Sequence, residues 1–407
     1  MFVDGKILTV PTMDRVSPGP LGVRMCDRSK CFDGYTLFST AFGYTEYLID
    51  LNGMVVHTWP VTKSQLAELR PDGHLLVDRY EKDWYSGGGL DELLPDGKRV
   101  WHWNGPCHHD FEVLPNDNII CLTGRNEPPC EGFYPPDLEP PQMRTDVVVE
   151  IDRSGTVVWE FSFSDHIAEL CDLAGLPQPV RYEVLAPDGM FKPCIQSDWA
   201  HTNTIEVLPD TPLGRRDARF RAGNLLFSFR ELDIIGIIDR DREEVVWAWG
   251  LGILDGQHQP TMLPDGHILI FDNGTYRGYS AVVEMDPESE EVVWQYEDGD
   301  DFYSPYRSSA QRLPNGNTLI CESDAGRIFE VTAEKEIVWD YYSPFLGQGP
   351  KNQGRHIFRA TRYTEAKVEP LFVSRTEEIT CVADSKRKPL TSFREVLEFY
   401  QAGFRIL

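Results

Sequence analysis

Short runs of apolar, β-branched and aromatic residues alternate with polar turns along most of the chain. One five-residue phrase of this kind occurs six times, as VVHTW (55–59), RVWHW (99–103), VVWEF (157–161), VVWAW (245–249), VVWQY (292–296) and IVWDY (337–341). Such runs are too short for stable helices and are typical of β-strands. A Pro-Asp/Asn-Gly phrase, as in LPDG (263–266) and LPNG (313–316), predicts a tight turn before the next strand. Strand–turn–strand units repeated about every 45 residues predict a β-propeller.

The spacing of the six phrases indicates the number of blades. Their alignment places His57 and five tryptophans at one position, with separations of 44, 58, 88, 47 and 45 residues. The two long gaps are interpreted as single blades carrying insertions, near 126–144 and 164–198, with a further small insertion near Arg215–Arg221. We therefore predict an all-β fold, a six-bladed β-propeller that forms one domain over residues 1–363. A seventh blade within the 88-residue gap is the alternative.

Two segments depart from the strand pattern. Residues 165–175 place apolar side chains near helical spacing and end in Gly175, which predicts a helix inside the second insertion. Residues 364–407 leave the repeat, and we expect them to form a helical or irregular extension that packs on the propeller. Within it, residues 392–404 read as an amphipathic helix with a serine cap.

Composition limits the classes of function. The 407 residues carry 39 Lys and Arg against 65 Asp and Glu, a net charge of −26, which argues against nucleic acid as a partner. No apolar run is long enough to span a membrane. The N-terminus shows no secretory signal pattern and the nine cysteines are scattered, so we expect a cytoplasmic protein with reduced thiols, or a periplasmic one if a leader has been removed. An anionic substrate would need a local cluster of Arg and His.

Histidines mark the first strand of several blades. His109, His201 and His258 lie at or next to the start of the strand that precedes a turn phrase, at matching places in three blades. Because the first strand of a propeller blade lies nearest the axis, we expect these side chains to meet at the channel. Converging imidazoles bind a metal ion, or one acts as a nucleophile while others stabilise negative charge. A nearby arginine would favour the second interpretation, since a cation repels a metal and attracts a phosphoryl or sulfuryl group. Arg230, which ends the next strand after His201, is the candidate, and a salt bridge at the rim is the alternative for it.

Four phrases together resemble the arylsulfotransferase family of bacterial β-propellers. They are HHDFEVLPND (108–117), HTNTIEVLPD…GNLLFSFRELD (201–233), GQHQPTMLPDGHILIFDNG (256–274) and AQRLPNGNTLICESDAGRIFEVTAEKEIVWDY (310–341). The resemblance covers most of the chain, from 34–60 to 355–363. It implies a six-bladed propeller that moves a sulfuryl group from a phenolic sulfate ester to a phenol, without the nucleotide donor PAPS that other sulfotransferases use.

The resemblance also implies roles for individual residues. The family's nucleophilic histidine is matched by His258 in its QH phrase, and the HD histidine is matched by His109. The HxN histidine is matched by His201, with Asn203 two residues on, and the family's arginine is matched by Arg230. We expect neither the signal peptide nor the separate N-terminal β domain of periplasmic members, which leaves localisation, oligomeric state and acceptor range open.

The implied mechanism is ping-pong transfer through a sulfohistidine on His258, with neither metal nor organic cofactor. Asn203, Tyr303, Arg307 and Trp84 are the further candidates for substrate binding, the last three because they lie in aromatic loops. The partners implied are a phenolic sulfate donor and a phenolic acceptor, and a homo-oligomer stays open. Two alternatives remain at this stage: a metal-dependent lyase or oxygenase with the three histidines as ligands, and a propeller that only binds a partner. His57 is interpreted as structural.

Overall fold

The computed structural model describes residues 20–80, 88–127, 144–176, 200–347 and 354–372, together with the backbone of a few short strands outside these ranges. The strands in chain order are β1 (Phe2–Val3), β2 (Lys6–Ile7), β3 (Gly22–Cys26), β4 (Tyr35–Thr40), β5 (Gly43–Ile49), β6 (Val55–Ser64), β7 (Ala67–Leu69), β8 (Leu75–Asp78), β9 (Leu90–Leu93), β10 (Arg99–Trp103), β11 (Cys107–Val113), β12 (Ile119–Glu127), β13 (Met143–Ile151), β14 (Val157–Ser162), β15 (Glu183–Leu185), β16 (Phe191–Pro193), β17 (Thr202–Val207), β18 (Leu225–Phe229), β19 (Ile234–Asp239), β20 (Glu244–Trp249), β21 (His258–Met262), β22 (Ile268–Asp272), β23 (Ala281–Asp286), β24 (Glu291–Glu297), β25 (Ser309–Arg312), β26 (Thr318–Glu322), β27 (Arg327–Val331), β28 (Ile337–Tyr342) and β29 (Ile357–Tyr363).

Six antiparallel sheets form the six blades of a β-propeller, as the repeat predicts. Blade 1 is β29-β4-β5-β6, blade 2 is β7 to β10, blade 3 is β11 to β14, blade 4 is β17 to β20, blade 5 is β21 to β24, and blade 6 is β25 to β28 with β3 added at its outer edge. The 88-residue gap contains blade 4 and the separate two-stranded sheet β15-β16, so it holds one blade and an insertion. The fold prediction of an all-β, six-bladed propeller is confirmed.

The sixfold phrase forms the outermost of the four repeat strands in each blade, and it pairs in the same irregular way every time. One residue is skipped in the pairing with the neighbouring strand immediately before the aligned Trp or His; the skipped residues are Val56, Val100, Val158, Val246, Val293 and Val338. Such a β-bulge re-aims the side chain that follows it.

In four of the blades the re-aimed side chain forms a hydrogen bond to the neighbouring blade. Trp101, Trp294 and Trp339 donate their indole N–H to backbone carbonyls in a turn of the next blade, at 2.8 to 2.9 Å. His57 makes the same contact through Nε2, at 2.8 Å from the Pro95 carbonyl, and packs edge-on against Trp59. His57 therefore makes in blade 1 the contact that tryptophan makes in blades 2, 5 and 6, in agreement with its structural interpretation.

The ring is closed by a strand from the far end of the repeat. β29 supplies the inner strand of blade 1, whose other strands come from the start of the chain. Across this junction Arg362 forms an ion pair with Glu330 of blade 6, and both side chains are fully buried. Arg362 also donates to Thr36 at 3.1 Å, and Glu330 accepts from the Phe32 backbone N–H at 2.7 Å. This buried network fastens the last blade to the first.

The inner strands surround a central cavity of about 230 Å³. Side chains on one inner strand accept backbone N–H groups of the next: Glu68 from Val113, Glu112 from Val207 and Glu206 from Met262. These contacts replace the hydrogen bonds that an unpaired strand edge lacks. The described residues contain no helix with the length and apolar character needed to cross a membrane.

The segments outside the repeat are partly described. The helix predicted over 165–175 is present as α1 (Ile167–Ala174), and Gly175 ends it with φ 68°, the left-handed conformation that favours glycine. Residues 365–372 are helical, and Val368, Leu371 and Phe372 are buried against blades 1 and 2. The first part of the C-terminal extension thus contacts the propeller. Residues 373–407, with the helix predicted over 392–404, lie outside the described residues, as does most of the 126–144 insertion.

Candidate active site

Irregular backbone gathers at the end of the channel where the inner strands begin. Four of the six inner strands leave regular pairing there, between Cys107 and Phe111, Thr202 and Thr204, His258 and Thr261, and Ile357 and Ala360. His109, His201 and Gln259 have positive φ values of 59°, 48° and 47°. Non-glycine residues in this region are strained, and such strain clusters at functional sites. The irregular segments therefore indicate a candidate site.

The three predicted histidines converge at this end of the channel. The ring centroids of His109 and His201 lie 4.8 Å apart, and the charge of His201 acts on both His109 and His258. The three histidines do not all occupy the same position relative to the turn phrase of their blade, in contrast to the prediction of matching places. His109 and His258 stand five residues before the leucine of their turn phrases, whereas Asn203 holds that position in blade 4 and His201 precedes it by two residues. The extra residue in the pairing of β17 lets His201 join the site from this earlier position.

Hydrogen bonds fix the tautomer of His258. Its Nδ1 lies 2.7 Å from Asn273 Oδ1 and 3.1 Å from the Gly256 carbonyl oxygen. The Asn273 amide nitrogen donates to the carbonyls of Ser304 and Arg307, at 2.7 and 2.9 Å, so its oxygen is the atom that faces the ring. Both partners of Nδ1 are acceptors, and Nδ1 must therefore carry the proton. This leaves the lone pair of the neutral imidazole on Nε2.

Burial keeps the imidazoles of His258 and His109 neutral. Burial lowers the pKa of His258 well below its ordinary value, and the positive charge of Arg230 and the neighbouring His201 lower it further. Burial likewise lowers the pKa of His109 well below the usual range, with contributions from His201, His108, His258 and Arg144. A neutral imidazole is the form that can act as a nucleophile or accept a proton.

Guanidinium groups surround these histidines. Arg230 is 8% exposed, and its backbone N–H donates to the His201 carbonyl at 3.2 Å. Its guanidinium lies 4.8 Å from the centre of the Tyr306 ring, and its Nη1 forms a hydrogen-bonded ion pair with the Glu231 carboxylate. A guanidinium carries five N–H donors, so the contact with Glu231 uses only part of the fork.

Two further arginines add positive charge at this end of the channel. Burial lowers the pKa of Arg307, which lies 3.6 Å from Asp324 and is also affected by the charge of Arg230. Arg144 acts on His109 from strand β13. Several cations near buried, neutral histidines make a local site for an anion within a strongly acidic protein.

The other predicted site residues have different surroundings. Asn203 is 1% exposed, and its amide nitrogen donates to the Gln257 carbonyl at 2.8 Å, which holds the peptide next to His258. Tyr303 is buried, and its hydroxyl donates to the Thr275 carbonyl at 3.0 Å. Trp84 lies outside the described residues. Asn203 and Tyr303 therefore hold the backbone of neighbouring segments in place through these hydrogen bonds.

Sequence reasoning missed two contributors. Asn273 lies in FDNGTYRGYS (271–280) and is not among the site residues predicted from the sequence. The signal was its place directly after the strand that pairs with β21, the strand that begins with His258. His108 is also absent from the predicted site residues; it is 2% exposed and its Nδ1 lies 2.9 Å from His109 Nδ1.

The three histidines do not form a compact ligand set for a metal ion. Among the described residues, two groups bring the ligand atoms of three side chains within 4.8 Å of one another, Asp72-His74-Glu92 and Asp265-His267-Glu284. Neither group contains a histidine of the site. Glu92 and Glu284 in these groups are already paired with Arg153 and Arg312, so both groups are explained as ion-pair networks.

Comparisons with known proteins agree with the fold and with the family resemblance. A crystal structure of a protein of unknown function from Bacteroides caccae is 14% identical and has a TM-score of 0.50, covering 82% of this chain and 100% of that one. A streptogramin B lyase structure is 12% identical with a TM-score of 0.44, covering 85% of this chain and 94% of that one. At this level of identity the first likeness shows the fold alone. Curated protein sequences give no significant match.

A family model is the more specific finding. The model described as arylsulfotransferase (ASST) matches residues 85–343, which is more than half of the chain. The matched range includes His109, His201, Arg230 and His258. This chain therefore belongs to the arylsulfotransferase family.

Proposed function

We propose that the protein transfers a sulfuryl group from an aryl sulfate ester to a phenolic acceptor, through a sulfohistidine formed on His258. The observation that carries the proposal is the hydrogen-bonded state of His258. Asn273 and Gly256 hold the proton on Nδ1, so the lone pair of Nε2 is available at a site with three arginines. Family membership supports the class of reaction.

In the first step, the lone pair of His258 Nε2 attacks the sulfur, and the bond between sulfur and the phenolic oxygen breaks. The leaving phenolate carries away the electron pair of that bond. The ring then bears the sulfuryl group on Nε2 and the proton on Nδ1, and its positive charge is stabilised by the Asn273 oxygen. Arg230, with His201 beside it, is placed to neutralise the sulfuryl oxygens.

In the second step, an acceptor phenol gives its O–H proton to a neutral imidazole of the site, its oxygen attacks the sulfur, and the bond between sulfur and Nε2 breaks. Because Nδ1 keeps its proton throughout, the group that leaves is a neutral imidazole, which returns His258 to its starting state. No proton has to move at Nδ1 in either direction. Asn273 therefore acts on both steps by keeping one tautomer.

The aromatic part of the substrate needs a surface near the arginine. Tyr306 presents its ring to the Arg230 guanidinium, and Tyr276, on the loop that follows Asn273, is 36% exposed. We infer that these rings contact the donor or acceptor phenol, since aromatic side chains pack well against a planar ring. The acidic remainder of the protein would repel an anionic donor, so binding depends on the local cations.

The test is transfer from 4-nitrophenyl sulfate to phenol, measured by the release of 4-nitrophenol and by the formation of phenyl sulfate. His258→Ala should abolish both. The matched control is His267→Ala in the same blade, whose ring contacts Glu284 at 2.7 Å outside the site, and it should retain activity. Transfer that survives in His258→Ala, or its absence from the wild type with a range of aryl sulfates and phenols, would contradict the proposal.

A further inference from the structure

A buried carboxylate and two imidazoles form a continuous chain that ends at the site. His108 Nδ1 lies 2.9 Å from His109 Nδ1, and on the other side of its ring His108 Nε2 lies 3.3 Å from Asp146 Oδ1. The His108 and Asp146 side chains are each 2% exposed. The second contact is slightly longer than a well-formed hydrogen bond and is best described as an ion-pair contact.

Asp146 is held in its ionised form. Burial alone would raise the pKa of its carboxyl, but the interactions with His108 and with Thr202 outweigh burial and the pKa lies below its usual value. Its Oδ2 accepts the Thr202 backbone N–H at 2.6 Å, which fixes the carboxylate between blades 3 and 4. A buried carboxylate of this kind needs a positive or hydrogen-donating partner, and His108 Nε2 is placed to be one.

The contact between the two Nδ1 atoms has room for one proton. When that proton is on His108, His109 Nδ1 accepts it and the proton of His109 is on Nε2, on the opposite side of the ring. When it is on His109, His108 Nδ1 accepts it and His109 Nε2 carries a lone pair. The position of this proton therefore decides whether His109 Nε2 is an acid or a base.

We propose that Asp146 and His108 form a proton relay that makes His109 the general acid for the departing phenolate and the general base for the attacking phenol. This inference rests on the proposed function and assigns new roles to His108 and Asp146. His109 is the group that exchanges a proton with the substrate oxygen, and His108 and Asp146 are positioning residues that act through it.

The proton movements balance over the two steps. As the bond between sulfur and the phenolic oxygen breaks, the oxygen takes the proton from His109 Nε2, and His109 Nδ1 takes the proton from His108 Nδ1. His108 is then neutral, with its remaining proton on Nε2 facing Asp146. When the acceptor attacks, its O–H proton passes to His109 Nε2, and the Nδ1 proton of His109 returns to His108. The relay ends as it began.

The surroundings of His109 explain why the extra proton is stored one residue away. His109 is faced by His108, His201, His258 and Arg144, and its backbone N–H donates to the Tyr80 hydroxyl at 3.2 Å. These imidazoles and the guanidinium disfavour a positive charge on His109 itself. His108 instead has the Asp146 carboxylate 3.3 Å from its Nε2, and it is the position at which the proposed relay holds the proton.

The test compares two donors in His108→Phe and Asp146→Asn, both of which keep approximate side-chain size. 4-Nitrophenyl sulfate has a leaving group that departs without a proton, whereas 4-methoxyphenyl sulfate has one that needs it. Single-turnover release of the first should stay within about threefold of the wild type, while release of the second should fall by about 100-fold, the contribution expected of general acid catalysis. An equal loss with both donors, or no loss with the second, would overturn the relay.

A second measurement is independent of turnover. In protein labelled with ¹⁵N-histidine, the His108 and His109 resonances should shift with one common midpoint as the pH is changed, because the two rings share a proton. Separate midpoints would overturn the relay. A wild-type protein that releases neither phenol would contradict the proposed function instead, and the NMR result would still decide whether the two histidines are coupled.

Discussion

Replacing Asn273 by leucine tests how the protein prepares its nucleophile. The substitution keeps side-chain size and removes the acceptor that lies 2.7 Å from His258 Nδ1. It also removes the donor to two carbonyls, those of Ser304 and Arg307. The Gly256 carbonyl, at 3.1 Å, still accepts from Nδ1, so the preference for the tautomer with the proton on Nδ1 is reduced and not lost.

The magnitude follows from these contacts. The ring becomes cationic when it is sulfated, and a hydrogen bond to a charged group contributes about 1.5–3 kcal/mol. Since about 1.4 kcal/mol corresponds to a tenfold change in rate, sulfation of His258 should slow by about 10- to 100-fold. Loss of the two hydrogen bonds donated by Asn273 should also lower the free energy of unfolding by about 2–4 kcal/mol, because the Arg307 carbonyl loses its donor and the Ser304 carbonyl keeps only the Ser280 hydroxyl at 3.5 Å.

The assay is the single-turnover burst of 4-nitrophenol, with folding checked by thermal denaturation of the same samples. The matched control is Asn224→Leu. Asn224 is also fully buried, and its amide nitrogen donates to two backbone carbonyls, Ala218 at 3.2 Å and Arg219 at 3.0 Å, in a turn away from the site. The control should lose a similar amount of stability and keep the burst rate. A folded Asn273→Leu protein with the wild-type burst rate would refute the reasoning. An equally large loss of burst rate in Asn224→Leu would refute it as well.

Three further predictions follow from the same contacts. Arg230→Met should reduce transfer by about 100- to 1,000-fold through loss of charge stabilisation, and Arg230→Lys should recover part of it; equal activity of the two variants would show that the charge is not used. The burst with 4-nitrophenyl sulfate should persist as the pH falls below 6.5, since the pKa of His258 lies well below that value and the imidazole stays neutral; a loss centred near 6.5 in the pH profile would contradict this. Arg362→Met should lower the free energy of unfolding by about 3–5 kcal/mol, measured by chemical denaturation, because Glu330 is left as an unpaired buried charge; a change below 1 kcal/mol would mean that the closure is held elsewhere.

The repeat made the fold predictable. The six apolar phrases set the number of blades, and the common bulge before the aligned Trp or His shows why their alignment was correct. The closure of the ring by β29 was not predicted, because it joins positions more than 300 residues apart. Its buried ion pair links Arg362 to a strand of another blade and leaves no local pattern either.

The candidate site was predicted in part. His109, His201, Arg230 and His258 were identified because they interrupt an apolar repeat or match a family phrase, and the structure brings them to one end of the channel. Asn273 directly follows strand β22, where a polar residue is ordinary, and Asp146 lies within strand β13, where no local pattern marks its contact with His108. Only the folded arrangement shows that each faces an imidazole nitrogen. The same holds for Glu231, whose contact with Arg230 follows from the turn after β18.

The central claim is that His258 carries the sulfuryl group between donor and acceptor. Its most direct test is mass spectrometry of the protein after incubation with 4-nitrophenyl sulfate in the absence of an acceptor, under alkaline work-up that preserves nitrogen–sulfur bonds. The account predicts one sulfuryl group per chain, on the peptide that contains His258, and its disappearance when phenol is added. Transfer to phenol without a modified peptide, or with the sulfuryl group on another residue, would contradict it.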